Sequence, residues 1–205
     1  MILITVIIIV YLDHKSYRKE QRMKVSKEQV QENRRRIVQT AATLFRERGF
    51  DGVGVADLMS AAGLTHGGFY KHFASKADLM AEAMRCGFMQ SAEDAQEITR
   101  DQFVAHYLSR QHRDAMGQGC VMASLGSDAA RQSDAIKSEF AAGIENRLAI
   151  AEANGGETRA DLIATLSQMV GALVLSRGCP DNSALADEVL QVCRARLLPE
   201  NGEAR

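Results

Sequence analysis

Proline is nearly missing from this chain of 205 residues, occurring only at Pro180 and Pro199. Few positions therefore lose a backbone donor or clash with a preceding turn, and Ala, Leu, Met, Glu, Gln and Arg can carry long helices. Cysteine is sparse as well. Cys86, Cys120, Cys179 and Cys193 lie far apart with no Cys-x-x-Cys pair, which argues against a zinc site and a secreted disulfide framework and fits reduced thiols in a cytoplasm. No convergent set of nucleophile, base or metal ligands has catalytic spacing, so neither an enzyme nor a metal or cofactor is expected. What remains is a chain with 46% hydrophobic residues, enough to bury a sizeable core. The expected fold class is all-α.

Charge of either sign is nearly balanced overall, but not along the chain. Residues 23–85 hold 10 basic and 7 acidic residues, whereas residues 86–205 hold 11 basic and 17 acidic. A polyanion would be met by the front portion. A difference of this size also arises on solvated helix faces, so it carries little alone.

Residues 2–12 form an apolar, β-branched run followed by Lys15, Arg18, Lys19 and Arg22. A membrane-spanning helix needs about 20 apolar residues, and a secretory leader places its positive charge first, so both membrane readings fit poorly. The third reading starts the protein at Met23, with residues 1–22 an extension outside the fold. If made, the run is a sticky, strand-prone segment in need of a partner surface.

From Ser26 a polar run with Arg34, Arg35 and Arg36 leads into Ile37, Ala41, Leu44 and Phe45, whose spacing puts one apolar stripe on a helix. The arginine run reads as a solvated face, with phosphate proximity the alternative. Gly49 supplies the left-handed stop. A short helix follows with Val55, Leu58, Met59 and Ala62 on one face and Gly54 as N-cap, then the turn Gly63-Leu64. Thr65 caps a third helix, with Phe69, Tyr70 and Phe73 as its aromatic inner face and His66, Gly67, Lys71 and His72 outward. Two short helices across a glycine turn make a helix-turn-helix over 54–73. Its second helix is small, polar and basic outside, so the backbone can approach groove edges while Lys71 meets phosphate. Ser75 and Lys76 open a further helix whose first amides and lysine could hold another phosphate.

These residues, Gly49-Phe50 to Leu58, Ala62 through Phe73, and Ser75-Lys76 to Leu79, together resemble the DNA-binding domain of the tetracycline-repressor (TetR) family over about residues 31–91. Gly54 departs from the pattern, since the family usually places there a threonine or serine that caps the helix and touches phosphate. The resemblance implies that Thr65, His66, Gly67, Gly68, Tyr70, Lys71 and His72 lie at or near the groove and that Lys76 meets the backbone. For Tyr70 the competing reading is core, and for His72 capping or packing.

Residues 92–200 form the expected helical back domain. Leu79, Met80, Ala83, Met84 and Gly87 carry a joining helix; Asp114 to Asp128 interrupts the pattern with glycines and resembles the Gly-Cys start of the middle helix in one TetR subgroup. Ile136, Phe140, Ile144 and Leu148 mark the next helix, ended by Asn154-Gly155-Gly156. Helices over about 157–176 and 183–197 have broad apolar coverage, with one stripe for the core and one for a partner subunit. The resemblance implies a four-helix dimer interface, for which Leu166, Val170, Leu173 and Val189 are the candidates; a buried monomer core is the alternative. Cys120, Met122 and Met169 are the candidate effector contacts, weighed against the reading of Cys120, Met116, Met122 and Met169 as plain core. Cys120 as a thiol sensor is a further reading, and His106 and His112 are expected on the surface or in loops.

The expected function is a homodimer that binds a palindromic operator in double-stranded DNA, represses, and releases when a small-molecule effector occupies the back domain, with no stable membrane association. The alternatives are a helical ligand-binding or thiol-sensing protein that no longer reads DNA, and a membrane-tethered regulator.

Overall fold

The computed structural model describes residues 27–93, 98–153 and 155–198. The apolar run 2–12, Met23 and Asn154 lie outside them. The described residues form helices and turns without a strand. The chain divides into two compact units, 1–37 and 38–205, and the division falls within α1, which is helical from 27 to 48.

In the first unit the exposed face is organised by local pairs. Arg35 bonds Glu32 and Arg36 donates to Asn33, each one turn back. Such exposed pairs contribute a few tenths of a kcal/mol, and they fit the solvated-face reading of the arginine run.

In the second unit, α1 stops at Gly49, whose φ of +71° is the left-handed conformation that glycine adopts at little cost. Helix α2 (Val55–Ala61) and a 3-10 turn (His66–Lys71) follow, joined by Gly63 at φ +66°. Phe45 and Phe50 meet edge to face at 5.2 Å, Phe69 and Phe73 stack at 5.5 Å, and all four are buried with Leu58, Met59 and Leu79. This is the small core that fixes the two short elements, neither of which is long enough to be stable alone.

Helix α3 (Lys76–Glu93) carries Leu79, Met80, Ala83 and Met84 inward. Then come α4 (Arg100–Tyr107), α5 (Arg110–Asp114), a 3-10 turn (Met116–Gln118), α6 (Val121–Ala129), α7 (Asp134–Ala153), α8 (Arg159–Arg177) and α9 (Ala184–Leu197). Reciprocal capping at Thr99 with Gln102 and at Thr158 with Asp161 satisfies orphan amides where α4 and α8 begin, each cap stabilising by about 1 kcal/mol. Helices α8 and α9 pack together around Met169, Ala172, Leu173 and Leu190, and the buried Ser176 hydroxyl donates to the Ala186 carbonyl at 2.8 Å. Helices α3 and α7 pack through Phe88 and Phe140, whose rings meet at 5.9 Å.

Candidate nucleic-acid interface and internal cavity

The reading segment begins with its support. Gly54 is the N-cap of α2: its own N–H donates to the Asp57 carboxylate at 3.2 Å, while the first amides of α2, from which a cap hydroxyl would accept, receive no side-chain acceptor from it. Thr65 caps the following element through its backbone: its carbonyl accepts from Gly68 N at 2.9 Å and its hydroxyl makes no cap bond. That element is a 3-10 turn of six residues, where a regular helix is expected from the spacing. With three residues per turn, Phe69 points into the core and Tyr70 is rotated about 120° away. Tyr70 is 70% exposed, which corrects its place on the inner aromatic face. Thr65, His66, Gly67, Tyr70 and Lys71 share the outer surface, while Gly68 and His72 are half-buried. Lys76 is half-buried too, and its ammonium donates to the Phe50 carbonyl at 2.6 Å, tying α3 to the linker before α2.

This head is joined to the helices behind it by buried polar contacts. Arg46, 5% exposed on α1, donates from Nε to the Gly117 carbonyl at 2.8 Å and from Nη2 to Gln90 Oε1 at 3.2 Å. Gly87 makes room for it: a Cβ there would stand 2.8 Å from Arg46 Nη1 and 2.7 Å from Val121 Cγ2. At the other end of α6, Asp128 Oδ2 accepts from Phe50 N at 2.9 Å. The end of α1 is therefore tied to the turn before α6, and the linker after α1 to the last turn of α6.

The cavity lies behind α6, with a volume of about 500 Å³. Cys120, the buried N-cap of α6, lines it beside Tyr107, Met122 and Arg147. The Tyr107 hydroxyl is near the Cys120 thiol, a weak acceptor, and among the described residues this buried hydroxyl has no hydrogen-bond partner of normal geometry. Burial, with the nearby thiol adding to it, pushes the Tyr107 phenol well above its ordinary pKa. Arg147 lies 4.4 Å over the Phe103 ring, and burial lowers its guanidinium from its usual value, although it stays charged. Arg85 and Glu139, also on the lining, neutralise each other in a bidentate pair at 3.0 and 2.9 Å.

His112 is a correction to the surface reading. It lines the cavity with Nδ1 2.8 Å from the Tyr107 carbonyl, and burial lowers its pKa below 6.5 against the opposing effect of that backbone contact. A depressed folded value means the unfolded chain binds the proton more tightly. The stability from His112 is thus complete above pH 6.5 and is lost as pH falls towards the folded pKa. Thermal melts between pH 8 and pH 5 are expected to show a loss in this window that His112→Gln reduces, and an unchanged slope in the variant would refute the assignment.

Of the three effector candidates, Cys120 and Met122 line the cavity, whereas Met169 is 2% exposed in the α8–α9 core. Met116, expected in the core, is 40% exposed. Of the four dimer candidates, Leu173 is fully buried within the chain, Leu166 lines the cavity, and Val170 and Val189 pack against the core. The large apolar side chains left outward on α8 and α9 are instead Ile163, Val174, Leu175, Leu185 and Val192. Both helices are apolar on several sides, so periodicity could not rank the stripes. Arg147, Tyr107 and Phe103 were not singled out, although Arg147 interrupts the Ile144, Leu148 stripe and so marked a charge facing inward.

Comparison with known proteins matches residues 37–83 to the family described as bacterial regulatory proteins, tetR family. The chain is similar to the transcriptional repressor DhaR of Mycobacterium sp. strain GP1, 26% identical over 52% of this chain and 57% of that protein. It is also similar to the repressor KstR2 of Mycobacterium tuberculosis, 39% identical over 30% of each. The aligned stretches thus span little more than half, and less than a third, of those relatives. In fold it resembles a TetR-family regulator from Agrobacterium tumefaciens, with a TM-score of 0.64 at 20% identity, covering 82% of this chain and 98% of the other.

Proposed function

Because the chain belongs to the TetR family of bacterial regulatory proteins, we propose that it works as a homodimer which binds a palindromic operator through the 66–71 turn, represses, and lets go when a small molecule fills the cavity. The observation that carries this reading is the outer face of that turn. Its aromatic anchor is buried, while the side chains of Tyr70, Lys71, His66 and Thr65 are exposed on one short turn. Outward polar and basic groups on a fixed support are what groove and phosphate contacts need.

Release follows from the contacts behind the head. Ligand bound against Cys120 and Met122 touches the first turn of α6; Arg46 ties the end of α1 to the 3-10 turn before α6, and Asp128 ties the last turn of α6 to Phe50. A ligand that favours one placement of α6 over another shifts the spacing of the two reading turns, and only that difference in affinity drives release.

The test is anisotropy of labelled DNA from upstream of the gene, in competition with scrambled DNA and over a salt series. Competed binding with a steep salt dependence is expected; equal binding to both DNAs, repeated with genome-wide fragment selection, would sink the reading.

The dimer face is assigned to the outward residues of α8 and α9. Ile163, Val174 and Leu175 flank Gly171, at which a Cβ would meet nothing within 4 Å. A mid-helix glycine costs about 1 kcal/mol against alanine, and here a closely approaching partner helix is the compensating use. Val174→Glu with Leu175→Glu is expected to yield a folded monomer in light scattering that has lost tight operator binding. A dimer surviving both changes would place the interface elsewhere.

A further inference from the structure

The cavity has an uneven charge inventory. Arg85 and Glu139 cancel, and burial disfavours the charged form of His112. Of the two arginines on the lining, Arg85 has its carboxylate, whereas among the described residues Arg147 meets the face of Phe103 and neither a carboxylate nor a hydrogen-bond acceptor. A second group waits beside it. Phe103 and Tyr107 are one turn apart on α4 with ring centroids 5.7 Å apart, so the unsatisfied Tyr107 hydroxyl, in a residue only 4% exposed, borders the same end of the cavity. Two donors, one a planar cation with a fork of N–H groups, match the two oxygens of a carboxylate. The first turn of α6 adds to this, because Cys120 as N-cap gives it no side-chain acceptor, leaving its amides and the positive end of the helix dipole towards the lining at Val121 and Met122. The rest of the wall includes Phe88, Met122 and Leu166.

We infer that the effector is an amphipathic organic acid with a single carboxylate, held by Arg147 and the Tyr107 hydroxyl, its apolar body lying against Phe88, Met122 and Leu166. This rests on the effector-release reading above and narrows it to a chemical class. A neutral ligand could accept hydrogen bonds from both groups but would leave the charge of a desolvated guanidinium uncompensated, which is costly. A ligand with several phosphates would bring more negative charge than one free guanidinium can balance.

The test is isothermal titration of the whole protein with 4-phenylbutyrate, octanoate and decanoate, each beside its neutral primary amide. At least one acid is expected to bind, with its amide weaker by about tenfold to a hundredfold, the usual worth of a hydrogen bond to a charged group. Arg147→Met should abolish the preference for acid over amide, and Tyr107→Phe, which removes one atom, should reduce it; the second variant keeps the test sharp if the first does not fold. Three outcomes would overturn the inference: no acid in the panel binds, acid and amide bind alike, or the preference survives in Arg147→Met. Operator binding without any acid is measured in parallel. Its loss would sink the regulator reading while leaving an acid preference standing, and its presence without an acid preference would sink only the carboxylate.

Discussion

Replacing Tyr70 and Lys71 together by alanine is expected to weaken operator binding about a hundredfold while lowering the melting temperature by only a few degrees. Lys71 is exposed and ends the turn, and on the reading proposed above its loss is expected to remove one phosphate contact per half-site and lower the salt slope by about 0.9 for each. Tyr70 is outward, and its contact with the rest of the head is an edge-to-face meeting with Phe69 at 5.2 Å. Losing that pair costs the fold about 1 kcal/mol, whereas losing a groove contact in both half-sites costs binding about 2 kcal/mol or more. Anisotropy at two salt concentrations and a thermal melt separate the two effects. Unchanged affinity in a folded double variant would show that DNA is met by another face.

Arg46→Met is expected to destabilise the protein by about 2 to 3 kcal/mol, because a buried charged donor leaves the Gly117 carbonyl and Gln90 without it. For a chain of this size that is a fall of about 5 to 10 °C in melting temperature. Methionine fills much of the same channel past Gly87, so the helices can still pack and the loss reports the polar contact. A second readout distinguishes structure from signalling. With α1 no longer tied to the turn before α6, the concentration of effector needed for release should rise more than its binding constant does. A variant that melts like the parent and releases DNA normally would remove Arg46 from the path.

Much of this is legible in the sequence, and each failure has a physical cause. Gly49 and Gly63 announced left-handed turns, and Phe45, Leu58, Phe69 and Phe73 announced the core of the head, because glycine stops and apolar spacing act locally. The helices after Asp114 also fall close to their expected spans. Arg46 was invisible, since a basic residue between Phe45 and Glu47 looks solvated until Gly87 and Gly117, 41 and 71 positions away, are seen to enclose it. Leu173 and Val174 are neighbours in sequence and opposite in fate, one fully buried and one 44% exposed, and a helix apolar on several sides does not say which. Tyr70 needed the actual turn to place it. For Arg46 and for the Leu173–Val174 pair the deciding fact is a distant contact, where periodicity has no reach, and for Tyr70 it is the tighter 3-10 winding of the turn.

The shortness of the reading turn also sets how much address the operator can carry. Six residues rising about 2 Å each span about 12 Å, which is the rise of three to four base pairs. On the dimer reading proposed above, two copies would inspect about eight pairs, or about 16 bits of sequence, and a genome offering about ten million start points would contain about a hundred such strings by chance. A regulator so equipped cannot find one promoter by spelling alone. The remaining discrimination has to come from the DNA between and around those pairs, whose sequence-dependent shape and stiffness set the cost of presenting both half-sites at the interval a dimer requires, and on the reading proposed above that interval is what a ligand at α6 would change.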